Sequence, residues 1–339
     1  MSALTQEKAI IAFVELGKKL TNPTDILGNT LYSAESANAW FTQENIKKSV
    51  LSFSAMLNEA DLALWFQSVQ LSTSPKKVGL ILAGNIPLVG LHDILCVLAT
   101  GNIALIKLSS SDDKLIKTVL AELINIESAF ADKIEYVDRL KDFDAVIATG
   151  SNNSSRYFDY YFSKVPNIIR KNRNSVAVLD GTESKEDIQN LGADIFDYFG
   201  LGCRNVSKIY FPKGYDVAHL YEGIESHHQI INHFKYQNNY DYNKSIYLVN
   251  AAKHFDNGFL LLKEDESLAS PLAVLYYEEY ENLQDVENKL KAKTADIQCI
   301  VTKSPVNMAS FDFGQSQHPK LWDYADNVNT IEFLNGLNS

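Results

Sequence analysis

The chain has 339 residues, with 46% hydrophobic and 22% charged residues and a formal net charge of -11. This length favours two domains, because single hydrophobic cores stop growing at about 250–300 residues. The acidic balance, without a basic stripe, argues against a nucleic-acid-binding surface.

The three cysteines, Cys96, Cys203 and Cys299, include no Cys-x-x-Cys pair. Their spacing predicts neither a disulfide framework nor a metal site. The N-terminus is polar, and no run of about 18 apolar residues predicts a membrane span. We therefore expect a cytoplasmic protein without a membrane span.

The first 71 residues have apolar side chains near helical spacing over residues 7–20, 43–57 and 58–71. This periodicity predicts helices. We interpret them as a helical cap on a larger domain, and no chemistry is visible in them.

From residue 77 onward, short apolar runs alternate with helical patterns. Strands are predicted at 78–83, 103–107, 134–137 and 145–148. Helices are predicted at 88–100, at 114–126 and from Gly150 onward, and residues 109–113 are expected to cap the second of them. This alternation predicts an open parallel sheet with helices on both faces, and such sheets bind ligands beyond the carboxyl ends of their strands.

Polar residues follow several of these strands. Gly150 and Ser151, at a helix start, suit a pyrophosphate, and Lys107 suits a ribose or its phosphate. Each also has a plainer interpretation, as a helix cap and as a solvated strand end. Asn85 is either a turn former or an amide donor to an oxyanion. The Gly-x-Gly-x-x-Gly fingerprint of dinucleotide-binding folds is missing.

Cys203 lies in the stretch GLGCRNVS at residues 200–207. The glycines let the backbone bend, so that the sulfur and its own N–H can face a reacting carbonyl. The alternative is a small, buried, structural cysteine.

The rest of the chain fits a second domain. We predict strands at 176–180, 244–250, 273–277 and 298–302, and helices at 184–199, 216–234 and 282–293. Three histidines, His227, His228 and His233, form either a zinc site or a packed or solvated helix face. The aromatic stretch 156–162 is interpreted as domain-interface packing, with an acyl-chain tunnel as the alternative.

Four motifs in order resemble those of the aldehyde dehydrogenase superfamily: LAGNIP at 82–87, TGNIALIKLSS at 100–110, TGS at 149–151 and GC at 202–203. The stretches at 200–207 and 314–326 (GQSQHPKLWDYAD) are similar to the acyl-CoA reductases of the LuxC family. The resemblance covers residue 78 to the C-terminus. It implies an aldehyde-dehydrogenase-like α/β fold of two Rossmann-like domains with parallel sheets. The expected domains are residues 1–180, completed by 310–339, and a catalytic domain at 181–309.

The resemblance also implies roles for individual residues. Cys203 would accept the acyl group, and its backbone N–H would form an oxyanion hole with the Asn85 amide. Lys107 would contact the adenosine ribose, and Gly150 and Ser151 the cofactor pyrophosphate. Three positions after the lysine, the family often has a glutamate that takes the 2′-hydroxyl. This chain has Ser110 there, beside Ser109, which favours NADPH, with NADH as the alternative.

The chain departs from the family at two other motifs. The stretch 169–173 has no carboxylate where hydrolytic members carry their general base, so reduction is favoured over hydrolysis. Ser267 replaces the glutamate that contacts the nicotinamide ribose.

These features predict NADPH-dependent reduction of an acyl-CoA to an aldehyde, in a homo-oligomer or a biosynthetic complex. An acyl-phosphate reductase and a non-catalytic scaffold are the alternatives. The chain is shorter than usual members of the superfamily, so we expect a reduced substrate-binding or oligomerisation segment.

Overall fold

The computed structural model describes residues 4–337. It divides the chain into two compact units. Unit 1 is Met1–Asn172 together with Pro319–Ser339, and unit 2 is Arg173–His318. The sequence had placed these boundaries at residues 180 and 310.

The N-terminal part of unit 1 is helical, as predicted. Its helices are α1 (Gln6–Thr21), α2 (Asp25–Ala37), α3 (Gln43–Met56) and α4 (Glu59–Trp65). Helix α1 buries Phe13, Leu16 and Leu20 along one face. Sequence analysis missed α2, which buries only Leu27 and Ala34 and so has a weak apolar pattern.

The sheet of unit 1 is parallel, as the alternating pattern predicted. Its strands are β1 (Lys77–Ile81), β2 (Ile103–Lys107), β3 (Ile134–Tyr136), β4 (Ala145–Thr149) and β5 (Asn167–Arg170). Helices α5 (Leu91–Ala99), α6 (Asp113–Ile126) and α7 (Asn152–Phe162) connect them. The strand order is β3-β2-β1-β4-β5. It reverses at β1, and ligands bind at such a reversal in open α/β sheets.

The C-terminal stretch of unit 1 returns to the first helices. The Trp65 Nε1 donates a hydrogen bond of 2.9 Å to the Tyr324 hydroxyl. Helix α12 (Thr330–Gly336) packs on α5 and buries Ile331 and Leu334. Unit 1 is therefore built from two stretches that are far apart in sequence.

The sheet of unit 2 is also parallel, except at one edge. Its strands are β6 (Asn174–Val178), β7 (Val206–Pro212), β8 (Phe255–Asp256), β9 (Leu261–Glu264), β10 (Val274–Tyr280) and β11 (Ile297–Val301), in the order β11-β6-β7-β10-β9-β8. Strand β8 pairs antiparallel with β9. The helices are α8 (Lys185–Phe196), α9 (Val217–Ile224), α10 (Phe234–Val249) and α11 (Leu283–Ala292). The predicted architecture of parallel sheets with connecting helices is confirmed.

One predicted strand of unit 2 is wrong. Residues 244–250 were assigned to a strand because of the apolar run after Ser245, but they end helix α10. This helix buries Tyr236, Tyr240 and Tyr247, whose spacing of four and seven residues matches a helix face. Within residues 4–337, no helix is both long and apolar enough to cross a membrane.

Candidate functional site

A turn at residues 202–205 of unit 2 carries Cys203. The chain enters it through Tyr198, Phe199 and Gly200, whose φ angles of 53°, 60° and 76° are left-handed. Glycine adopts such an angle without strain, so Gly200 provides the bend that the sequence indicated. Cys203 is half-buried, whereas Cys96 and Cys299 are buried.

Neutral side chains fix the backbone of this turn. The Asn205 Oδ1 accepts the Gly202 N–H at 2.8 Å, and its Nδ2 donates to the Asp194 and Asp197 carbonyls at 3.1 and 2.8 Å. The Ser175 Oγ donates to the Cys203 carbonyl at 2.9 Å. Asn205 thus ties the turn to the end of α8, while Ser175 ties it to β6.

The motif at residues 314–318 packs beside this turn. Arg204 Nη1 donates to the Ser316 carbonyl at 3.4 Å and contacts the Cys299 sulfur at 3.2 Å. Buried Asp194 accepts the backbone N–H groups of Gly314 and Ser316 at 2.6 and 3.0 Å. Burial raises the pKa of Asp194 to about 6, although these hydrogen bonds oppose the rise.

Asn85 is exposed in the turn that follows β1 in unit 1. Three residues later, Leu88 has a φ of 60° and a fully buried side chain. The Leu88 N–H donates to the Asp112 Oδ2 at 2.7 Å, and the Ser49 Oγ donates to the Pro87 carbonyl at 2.8 Å. We call residues 84–88 the Asn85 turn.

Asp112 does not act as the helix cap that the sequence suggested. It occupies the N-cap position of α6, but no side-chain cap bond is found there among the described residues. Its carboxylate holds Leu88 instead. Burial is the main cause that raises its pKa to about 7; the Leu88 N–H lowers it and neighbouring Asp113 raises it further.

A cavity of about 320 Å³ lies at the carboxyl ends of β2 and β3. Lys107, Ser109 and Ser110 line it together. Four other polar residues also line it and were not predicted from the sequence: Asp113, Lys117, Tyr136 and Asp138. The helical periodicity of α6 could have placed Lys117 one turn beyond Asp113, but only the docked helix shows that both meet β3.

The charges in this cavity are mixed. Lys117 lies 3.7 Å from Asp113 and 5.9 Å from the centre of the Tyr136 ring. Burial raises the pKa of Tyr136 to about 12, so its hydroxyl stays protonated at neutral pH. Two lysines, two serines and a phenol suit a phosphate, whereas the two aspartates suit hydroxyl groups of a sugar.

Gly84 brings the Asn85 turn against the serines of the cavity. A Cβ at this position would lie 2.4 Å from the Ser109 Oγ and 2.7 Å from its Cβ. Only glycine permits this approach without a shift of the neighbouring turn.

Gly150 and Ser151 are engaged within unit 1 and are not among the residues that line the cavity. The Gly150 N–H donates to the Arg170 carbonyl at 3.3 Å. The Ser151 Oγ accepts the Ser154 N–H at 3.2 Å and caps α7. The helix-cap alternative therefore describes the observed bonding of Ser151.

The stretch matched to the general base of hydrolytic members contains a buried cation. Arg170 donates to the Asp93 carboxylate at 2.7 Å and to the Thr330 hydroxyl at 3.0 Å. The pair is buried, so the Asp93 carboxylate is already bound by Arg170.

Ser267 lies in a loop whose backbone is bonded by a buried lysine. Lys208 has a fully buried side chain, pairs with Glu278 at 2.9 Å and donates to the Asp265 carbonyl. The Ser267 N–H in turn donates to the Asp265 carboxylate at 3.0 Å.

The histidines of unit 2 have packing partners. The His227 ring stacks on Phe196 and the His233 ring lies 4.2 Å from that of Phe199. His228 Nδ1 lies 3.0 Å from the Glu225 carbonyl. Residues 4–337 show no cluster of three or more His, Cys, Asp or Glu suited to a metal ion.

The aromatic stretch 156–162 belongs to α7, and its tyrosines are exposed. Tyr157, Tyr160 and Tyr161 are 66%, 79% and 70% exposed. The interpretations of this stretch as domain-interface packing or an acyl-chain tunnel remain predictions.

Comparison with known proteins identifies both family and fold. Residues 24–222 match the model of the family described as acyl-CoA reductase (LuxC). No curated protein matches the chain in sequence.

The chain is similar in structure to aldehyde dehydrogenase 21 from Physcomitrella patens, solved in complex with the reaction product succinate. The TM-score is 0.68 at 12% identity, over 98% of this chain and 85% of that one. It is also similar to an aldehyde dehydrogenase of Mycobacterium tuberculosis complexed with NAD+, with a TM-score of 0.62 at 13% identity, and to an NADP dependent enzyme of E. coli, with 0.63 at 12%. Each of these two matches covers 88% of this chain and 73% of the other.

These likenesses confirm the predicted aldehyde-dehydrogenase-like fold. The family match begins in the N-terminal helices, earlier than the resemblance recognised from the motifs, and includes Asn85, Lys107 and Cys203. It supports an oxidoreductase that produces an aldehyde. The match extends over more than half of the sequence, and the chain belongs to the acyl-CoA reductase (LuxC) family.

Proposed function

We propose that this protein reduces an acyl-CoA thioester to an aldehyde through a covalent acyl intermediate on Cys203, with NADPH as the preferred cofactor. The observation that carries the proposal is the environment of Cys203. It is half-buried in a turn whose backbone is fixed by Ser175 and Asn205, while Cys96 and Cys299 are buried.

In the first half-reaction, the Cys203 thiolate attacks the carbonyl carbon of acyl-CoA. The bond from that carbon to the CoA sulfur breaks, CoA leaves as a thiolate that takes up a proton, and the acyl group stays on Cys203. Negative charge develops on the carbonyl oxygen during the attack. We assign its stabilisation to the Cys203 backbone N–H and the Asn85 amide.

In the second half-reaction, the acyl carbon on Cys203 would accept a hydride, which is the chemistry that a nicotinamide cofactor would supply when bound. The resulting thiohemiacetal anion on Cys203 then collapses: its oxygen re-forms the carbonyl, the bond from carbon to sulfur breaks, and the aldehyde leaves. Cys203 returns to the thiolate form.

The surroundings of Arg170 favour reduction over hydrolysis. The stretch 169–173 has no carboxylate, and the Asp93 carboxylate beside it is bound to Arg170. A carboxylate engaged in a buried ion pair is a poor base for activating water. The missing general base supports an acyl group on Cys203 that lasts long enough for hydride delivery.

The cavity of unit 1 fits the adenosine end of a dinucleotide with a 2′-phosphate. Lys107 and Lys117 bring two positive charges to it, and Ser109 and Ser110 bring hydroxyl donors. Asp113 and Asp138 in the same lining suit the hydroxyl groups of a ribose. The carboxylate that would repel a 2′-phosphate is missing at position 110. The pyrophosphate contact at Gly150 and Ser151 remains a prediction, and it would use the N-terminal end of α7.

Mass spectrometry of the intact protein tests the proposal. We expect incubation with acetyl-, hexanoyl- or palmitoyl-CoA, without cofactor, to add one acyl group to the peptide that contains Cys203. Addition of NADPH should then remove the group and release the aldehyde.

Acylation by acyl phosphates but not by acyl-CoA would favour the alternative reductase. The absence of acylation by both would favour a scaffold. A cytoplasmic location and a homo-oligomer or biosynthetic complex remain predictions for fractionation and light scattering.

A further inference from the structure

Asp112 is a carboxylate buried between two turns of unit 1. Only 4% of the residue is exposed. Its Oδ2 accepts the Leu88 N–H at 2.7 Å, and its own N–H donates to the Ser109 carbonyl at 3.1 Å. It thus joins the Asn85 turn to the turn of the cofactor cavity.

We propose that Asp112 is a positioning residue that holds the Asn85 turn in the conformation needed for acyl transfer. The inference rests on the proposed function, because it gives Asp112 a role only through the oxyanion donor Asn85. Asp112 itself contacts no reacting atom in this scheme.

The Asn85 turn needs such a restraint because Leu88 has a φ of 60°. A leucine in the left-handed region is strained and persists only where its surroundings impose it. The buried Leu88 side chain and the bond from Ser49 to the Pro87 carbonyl supply part of that restraint. The Asp112 carboxylate supplies the bond to the strained residue itself.

The carboxylate is a costly means of holding this turn. Its Oδ1 has no hydrogen-bond partner among the described residues. A buried carboxylate with one unpaired oxygen destabilises the fold, and burial raises its pKa accordingly. Residues that cost stability while they order a site are typical of functional regions.

The restraint can be measured in the acylation step, which needs no cofactor. We expect Asp112→Ala to slow single-turnover acylation of Cys203 by palmitoyl-CoA by about tenfold to a hundredfold, with the Kd for palmitoyl-CoA changed by less than about threefold. Asp112→Asn keeps an oxygen that can accept the Leu88 N–H, so it should retain most of the rate.

Glu122 provides a matched control on the same helix. It is also a buried carboxylate of α6, but it bonds Thr24 and Lys19, away from the Asn85 turn. Glu122→Ala should lower the Tm without slowing acylation. If Asp112→Ala acylates as fast as Glu122→Ala, the inference is wrong.

The double variant Asn85→Ala/Asp112→Ala separates this inference from the proposed function. If Asp112 acts through Asn85, the double variant should be little slower than Asn85→Ala alone. If the rate losses of the two single variants multiply in the double variant, the inference is wrong and the proposed function still stands. An Asn85→Ala variant that acylates at the normal rate would overturn both the oxyanion role and this inference.

A measurement on the wild-type protein covers the case in which Asp112→Ala does not fold. Hydrogen exchange of the Leu88 amide should be strongly protected at neutral pH, and less so in Asp112→Leu, which removes the acceptor but fills the space. Exchange of the wild-type amide as fast as in an unstructured peptide would overturn the inference.

Discussion

The turns that carry Asn85 and Cys203 are held in different ways. In unit 1, the Leu88 N–H of the Asn85 turn is bonded to a carboxylate whose pKa burial raises to about 7. In unit 2, the Cys203 turn depends on Asn205 and Ser175, which do not titrate near neutral pH. The position of the nucleophile backbone should therefore depend less on pH than the position of the Asn85 turn.

The two buried aspartates extend this comparison. Asp194 of unit 2 accepts a backbone N–H on each of its oxygens, whereas Asp112 accepts one on Oδ2 alone. Hydrogen bonds to a carboxylate stabilise its charged form and lower its pKa. The pKa of Asp194 accordingly rises only to about 6, and that of Asp112 to about 7.

The largest expected effect comes from the nucleophile itself. Cys203→Ala should abolish acylation and aldehyde formation, because no other thiol in the chain occupies a comparable turn. Cofactor binding, followed by NADPH fluorescence, should be unchanged. Cys96→Ala and Cys299→Ala serve as controls that still become acylated on Cys203. Acylation of a cysteine in Cys203→Ala would refute the assignment.

Asn85→Ala should slow acylation by about 10² to 10³, the usual loss for one oxyanion donor. The substitution lies at an exposed position, so the Tm should change little. Single-turnover kinetics with palmitoyl-CoA would measure it. An unchanged rate would show that Asn85 only forms the turn and does not stabilise the oxyanion.

The cavity beside the Asn85 turn allows a prediction about the cofactor. Ser110→Glu should weaken NADPH binding by about tenfold and leave NADH binding nearly unchanged, because the new carboxylate would repel a 2′-phosphate. Lys117→Ala should shift the preference in the same direction. Titration of both cofactors against each variant measures this, and a wild type that strongly prefers NADH would contradict the proposal.

Ser175→Ala should slow acylation by about threefold to tenfold, as expected when one neutral hydrogen bond to the Cys203 carbonyl is lost. Unlike the effect of Asp112 variants, this loss should be the same from pH 6 to pH 8. This pH range spans about one unit on either side of the pKa of Asp112. A loss that varied with pH over that range would contradict the neutral restraint of the Cys203 turn.

The last prediction concerns stability rather than rate. Asp112 has a raised pKa in the folded protein, so its contribution is fully present below the unfolded value of 3.8 and is lost as pH rises through about 7. The Tm of the wild type relative to Asp112→Asn should therefore fall between about pH 4 and pH 7 and then level off. For Asp194→Asn the corresponding change should level off near pH 6. Calorimetry at several pH values would measure both, and a relative Tm that rises over this window would refute the pKa assignment.

Much of the fold could be predicted from local pattern. The apolar runs that form β1, β2 and β4 are buried on both faces and flanked by turn residues, which is typical of parallel strands. The apolar run after Ser245 has the same character over a few residues, yet it ends α10. The longer segment shows why this run is helical: the helix begins at Phe234, and its buried tyrosines repeat at helical spacing.

The site residues divide in a similar way. Lys107, Ser109 and Ser110 could be placed together because they are adjacent in sequence at the end of one strand. Lys117 and Tyr136 could not, because they reach the cavity only after α6 and β3 pack beside it. The bond from Asp112 to Leu88 spans 24 positions in sequence and links two turns, so a local pattern could only suggest a helix cap.

The discontinuity of unit 1 bears on the order in which the protein folds as it is made. Trp65 donates to the Tyr324 hydroxyl, and Arg170 donates to the Thr330 hydroxyl. Both hydroxyls belong to the stretch that follows unit 2 in the chain. Until that stretch leaves the ribosome, the Arg170 guanidinium lacks one of its partners and α5 lacks the cover of α12. Arg173–His318 is continuous and is fully synthesised earlier, so it can fold while its companion is still unfinished. Unit 1 therefore stays incomplete for longer than unit 2 during synthesis.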